Sequence, residues 1–130
     1  RQYLANIHLM EHLTRLRVTL DLLRLNRKQP LEAGSPTIAV EVNALRIGDF
    51  NLVTFPGELT VEIGLAIKKN AARKLTFVSG YTNGYIYYTP TETQRLNKGF
   101  AQEDCDCLVA PEWRKIFEAK AADLLKKVQE

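Results

Sequence analysis

The sequence predicts an α/β fold, with α+β as the alternative, in which a mixed sheet is packed by a long N-terminal and a C-terminal amphipathic helix. Three observations predict it. Apolar residues recur at helical spacing at both ends of the chain. A period-two pattern with a tight turn occupies residues 38–55. A helical segment followed by a short apolar run then suggests a strand, a covering helix and a strand.

The first element spans Tyr3 to about Asn26, where Leu4, Ile7, Leu9, Leu13, Leu16, Leu20 and Leu23 fall near helical spacing. The run RKQPLEAGSP, residues 27–36, carries two prolines and a Gly-Ser pair. It is expected to end the helix and form an exposed linker, counted over 26–36, before the sheet region. Residues 37–58 alternate Ile38, Val40 and Val42 against polar neighbours and turn at Gly48-Asp49 into Leu52, Val53 and Phe55, the pattern of a hairpin.

Residues 58–74 then read as a helix carrying Val61, Ile63, Leu65 and Ile67, with Lys68 and Lys69 near its end. LTFVSG, residues 75–80, reads as a buried strand. Residues 81–91, YTNGYIYYTPT, fit neither period and read as a functional loop. A short helix is expected from Thr91 to Asn97 and irregular chain over 100–110. Behind Pro111 follows a closing helix with Trp113, Ile116, Phe117, Ala121, Leu124, Leu125 and Val128.

The 130 residues suffice for one domain, with no internal repeat. An apolar fraction of 45% and a charged fraction of 25% are those of a globular chain. The formal charge of +3 comes from interspersed signs, which gives no reason to expect a nucleic-acid partner, and no apolar run is long enough to span a membrane. The chain starts at Arg1 directly in a helical pattern, as expected of a segment of a longer polypeptide. Cys105 and Cys107 are too close for an unstrained disulfide and too few for a zinc framework, so both are read as reduced.

Three constellations bear on chemistry. HLMEH, residues 8–12, matches an H-x-x-E-H pattern in which His8 and His12 share a helix face and Glu11 would be the base. Two solvated histidines on an amphipathic helix explain it at least as well. FPGE, residues 55–58, puts Glu58 after a strand end and in the expected first turn of a helix, where the dipole favours a carboxylate and where catalytic groups also gather. Residues 79–91 hold four tyrosines in eight positions, more than packing requires. A phenol beside a divalent metal is stabilised as phenolate, so this loop and Glu58 form a chemically sensible pair.

The run IGDFNLVTFPGELTVEIGLAIKK, residues 47–69, with VSGYTNGYIYYTPT, residues 78–91, resembles the neutral ceramidases and the wider ceramidase-like hydrolases, over about residues 38–130. The resemblance implies a zinc amidohydrolase acting on ceramide-like N-acyl lipids, of which this chain would be the C-terminal part. It implies that Glu58, in the PGE turn, and Tyr88, in Asn83-Gly84-Tyr85-Ile86-Tyr87-Tyr88, are zinc ligands. Asn83, Tyr85 and Phe100 then fall at substrate-contacting positions, Tyr85 also as a possible catalytic group. The family's two zinc-binding histidines lie upstream, in motifs this chain does not contain. The upstream part of the same polypeptide is therefore an expected partner, and the isolated chain is expected to be inactive. The family's second active-site tyrosine corresponds to Phe100, which has no hydroxyl to offer a substrate carbonyl. A secreted or periplasmic location is also implied. Against these stand two other readings: a non-catalytic domain whose tyrosine loop contacts lipid or carbohydrate, and a small metallopeptidase built on His8 and His12.

Overall fold

A computed structural model describes residues 1–35, 37, 39–96 and 107–129. The chain divides into two units, Arg1–Ile38 and Ala39–Glu130.

The first unit is one long helix, α1 (Gln2–Ala33). It outruns the expected end near Asn26, so the first part of the expected linker is helical. Pro30 lies inside the last turn, where its ring and missing N–H remove a hydrogen bond to the preceding turn without ending the helix. The stop signal is instead Gly34, at φ 63. Gly34 N–H donates to the Leu31 carbonyl and Ser35 N–H to the Pro30 carbonyl, the paired bonds of a Schellman cap that needs a left-handed residue at this point. Within α1, Leu22 is buried, while Leu4, Leu9, Leu13, Leu16, Leu20 and Leu23 are exposed.

The second unit combines helices with a small mixed sheet, as the sequence predicts. Strands β1 (Ala44–Ile47) and β2 (Phe50–Thr54) form the hairpin, with Ile47 opposite Phe50 and Gly48-Asp49 as the two-residue turn. Gly48 takes φ 58, the positive value that such a loop requires at its first central position. The alternating residues Val40 and Val42 lie before β1 rather than in it, because the pairing with β2 reaches back only as far as Asn43, which exchanges backbone and side-chain hydrogen bonds with Thr54.

Strand β3 (Glu58–Leu59) and helix α2 (Val61–Asn70) follow, and strand β4 (Thr76–Ser79) returns parallel to β2. A two-residue strand β5 (Tyr88–Thr89) pairs parallel with β3. Helix α3 (Glu92–Leu96) and helix α4 (Trp113–Lys127) close the described chain. The sequence T-E-T-Q at the start of α3 forms a capping box. The Thr91 hydroxyl accepts from Gln94 N–H, and Gln94 Oε1 accepts from Thr91 N–H.

The core of this unit lies on one face of the three-stranded sheet. Val53 and Phe55 meet Ile63 and Ile67 of α2 and Trp113, Phe117, Ala121 and Leu125 of α4. Phe55 packs against both aromatic rings of α4, at 5.6 Å from Trp113 and 4.5 Å from Phe117 between centroids. Burying each such side chain contributes about 1.5–3 kcal/mol. Of the four apolar residues expected on α2, Ile63 and Ile67 are buried, whereas Val61 and Leu65 are exposed, as is Ile116 of α4. β4 is not the uniformly buried strand its composition suggests, since Phe77 lies on the other face and stacks on Phe50 at 5.0 Å. Trp113 anchors α4 to the site-bearing loop by donating from Nε1 to the Pro90 carbonyl at 3.1 Å.

Candidate functional site

Phe55-Pro56-Gly57-Glu58 leaves the buried end of β2 and is gripped by the tyrosine loop through backbone hydrogen bonds. Phe55 N–H donates to Ser79 O (2.8 Å), Thr82 N–H to Phe55 O (3.1 Å) and Ile86 N–H to Pro56 O (2.8 Å). Tyr81 N–H donates to Gly57 O (3.1 Å) and Glu58 N–H to Tyr87 O (3.0 Å). The two segments approach so closely that a Cβ on Gly57 would lie 2.9 Å from both Ile86 Cγ1 and the Tyr87 carbonyl oxygen. Glycine at 57 is thus a steric requirement of the contact.

These bonds also decide where Glu58 sits. It is a strand residue of β3, two positions before the Thr60 cap of α2, and not the first-turn helix residue the sequence suggests. Its N–H is already committed to Tyr87, so the chain stays extended until Thr60. The Thr60 hydroxyl bonds the Thr89 carbonyl (3.0 Å), and the Thr89 hydroxyl bonds the Glu58 carbonyl (2.8 Å), which ties both strands together.

The β3–β5 register sets Glu58 directly beside Tyr88. Tyr85 Oη donates to Glu58 Oε1, and Tyr81 and Tyr88 add hydrogen bonds to the same carboxylate. Burial pushes the Glu58 carboxyl up, but donation by Tyr85, Tyr81 and Tyr88 outweighs it and leaves the group below the usual carboxylate range. The converse holds for the phenols. Hydrogen bonding to the Glu58 anion, with some burial, pushes Tyr85 up to about 12 and moves Tyr81 in the same direction.

The loop achieves this convergence with strained backbone. Tyr81, Asn83 and Tyr87 take φ of 53, 58 and 63, left-handed values that are uncommon for non-glycine residues and each cost on the order of 1–3 kcal/mol. The rings form a stack. Tyr81 and Tyr85 lie 6.0 Å apart and nearly parallel, and Tyr85 and Tyr87 lie 5.0 Å apart and tilted. Tyr81 and Tyr85 remain 65% and 50% exposed, so the stack presents an open aromatic surface above the carboxylate.

Of the residues singled out from sequence, Glu58, Tyr85 and Tyr88 are brought together. Asn83 is in the same loop, but its amide turns to Glu41 Oε1 at 3.2 Å. Phe100 and Cys105 lie outside the described residues. Cys107 bridges by backbone to Tyr87 and Tyr88, and its sulfur lies 3.3 Å from Arg95 Nη1, which places it behind the tyrosine loop. His8 and His12 are exposed on α1, where His8 Nδ1 is 3.4 Å from Glu11. Sequence reasoning missed Tyr81 as a partner of Glu58. Its place in the Tyr-rich run was visible, but the left-handed turn that swings it back over the carboxylate was not.

Among the described residues, no three His, Cys, Asp or Glu side chains converge as a metal-binding group. No helix among them is long and apolar enough to cross a membrane. Comparison with known protein families, curated proteins and solved structures finds no match for this chain.

Proposed function

We propose that this chain contributes the Glu and Tyr half of a ceramidase-like zinc amidohydrolase site acting on N-acyl lipids. The observation that supports it most is the convergence of Glu58 and Tyr88, distant in sequence, as register partners in a loop system held by five backbone hydrogen bonds. The donor set fits half of a zinc site, since it offers one carboxylate and phenol oxygens but no imidazole or thiolate. Glu58 and Tyr88 would hold zinc together with two histidines from outside this chain. Zinc bound there would supply Lewis acidity for amide hydrolysis. The chain's own contribution is positional. Tyr81 and Tyr85 fix the Glu58 carboxylate as hydrogen-bond donors, and their raised proton affinity keeps them as donors across the physiological range. The ring stack offers an apolar surface on which an acyl or sphingoid chain would lie.

The test is zinc retention in the polypeptide that carries the two histidines. Glu58→Ala and Tyr88→Phe should each lower zinc content after dialysis and abolish release of a fatty acid from a fluorescent ceramide. Full zinc retention in both variants would overturn the assignment. The exposed Tyr81–Tyr85 pair favours a second reading, a lipid- or carbohydrate-binding domain without catalysis. Retained binding of an oligosaccharide or lipid by the isolated chain, lost in Tyr85→Ala and indifferent to zinc, would select it.

A further inference from the structure

We propose that α1 carries a docking seam for a helix with acidic flanks, a partner distinct from any ligand of the tyrosine site. Leu9, Leu13, Leu16, Leu20 and Leu23 follow alternating spacings of four and three, the a/d period of a two-stranded coiled coil. All five lie within one uninterrupted helix and are 46% to 60% exposed. The stripe is about 21 Å long at 1.5 Å per residue. Leu22, the buried residue among the described side chains of α1, falls at c, outside the a/d stripe.

Charge selects the occupant. Residues 1–38 contain six basic and three acidic side chains, so the chain's entire formal charge of +3 resides in this unit. The remaining twelve basic and twelve acidic residues cancel. The positions that flank the seam on one side, e in the heptad, are Met10, Arg17 and Arg24. Those on the other side, g, include His12 and Thr19. A second copy aligned antiparallel would set arginine against arginine. Aligned parallel, it would set His12 against Arg17 and Thr19 against Arg24. Neither arrangement pairs opposite charges. Arg17 has no ion pair among the described residues, and Arg24 has only the exposed Asp21 at 3.2 Å, a contact of little energetic weight. A helix with leucine-type a/d residues and Glu at e and g satisfies both the seam and its flanks. A membrane surface is disfavoured by Glu11, Asp21 and Glu32 interspersed around the helix.

The probe is a synthetic four-heptad peptide with Leu at a and d and Glu at e and g, set against an otherwise identical peptide with Lys at e and g. Binding to the full 130-residue chain is followed by fluorescence anisotropy. The Glu peptide should bind, more weakly as salt rises, and the Lys peptide should bind roughly tenfold or more weakly. Arg17→Glu with Arg24→Glu should reverse that preference. Leu16→Asp with Leu20→Asp should abolish binding while circular dichroism stays unchanged, since both side chains are exposed. Equal binding of the two peptides, or binding of neither, overturns the proposal. So does a dimer in sedimentation equilibrium that excludes the Glu peptide, or binding confined to phosphatidylserine vesicles. None of these outcomes depends on zinc or on Glu58.

Discussion

Glu58 and Tyr88 stand side by side across the β3–β5 ladder, and Tyr85, three residues before Tyr88, donates to the same Glu58 carboxylate. The loop that brings them together carries three left-handed residues, Tyr81, Asn83 and Tyr87, and is held to the 55–58 turn by backbone hydrogen bonds.

Tyr85 contributes to stability on the alkaline side. Its folded pKa of about 12 lies above the ordinary 10.0, so the stability it contributes is fully present below pH 10 and is lost as pH rises through 12. Ultraviolet titration of phenolate should show one tyrosine ionising later than the others, and Tyr85→Phe should remove that late phase. Glu58→Gln should bring it back towards the ordinary value, because the anion that opposes ionisation is gone.

On the acid side the sign is opposite. The Glu58 carboxyl sits below its unfolded value, so its stabilisation holds above that value and is lost as pH falls through the folded pKa. Urea midpoints measured from neutral to acid pH should fall less steeply in Glu58→Gln than in the native sequence. Equal slopes would mean that the tyrosines do not favour the ionised form.

Gly57→Ala should destabilise the second unit by about 1–3 kcal/mol, because the new methyl group meets a backbone oxygen as well as a side chain and the tyrosine loop must shift to admit it. Chemical denaturation measures the loss. The late-titrating tyrosine should move towards normal in the same variant, since the loop carries Tyr85.

Asn51→Leu should be neutral or stabilising, by up to about 1–3 kcal/mol. Asn51 is fully buried in β2, and neither its amide nitrogen nor its amide oxygen has a partner among the described residues, so the wild type bears a desolvation cost that leucine avoids. Denaturant midpoints compare the two. A marked loss of stability would show that the amide has a partner.

Much of the second unit was legible because its signals are local. The Gly48-Asp49 turn requires a positive φ that glycine supplies, and the apolar period places the helices that carry Ile63, Ile67, Phe117, Ala121 and Leu125, although it does not separate these from the exposed Val61, Leu65 and Ile116. The end of α1 was local too: of the two prolines and the Gly-Ser pair that mark residues 27–36, it is glycine at φ 63 that closes the helix, with two hydrogen bonds.

The sequence by itself determined that a PGE turn and a tyrosine-rich loop exist and that the chain mixes helices with a short sheet, since composition, period and turn chemistry are properties of neighbouring residues. Only the tertiary structure decided that Glu58 is extended rather than helical, that Tyr81 joins Tyr85 and Tyr88 around it, and that Asn83 turns away to Glu41. Those outcomes depend on which backbone donors the 79–89 segment spends on the 55–58 turn. Hydrogen bonds between segments some 27 residues apart leave no periodicity in the sequence to read.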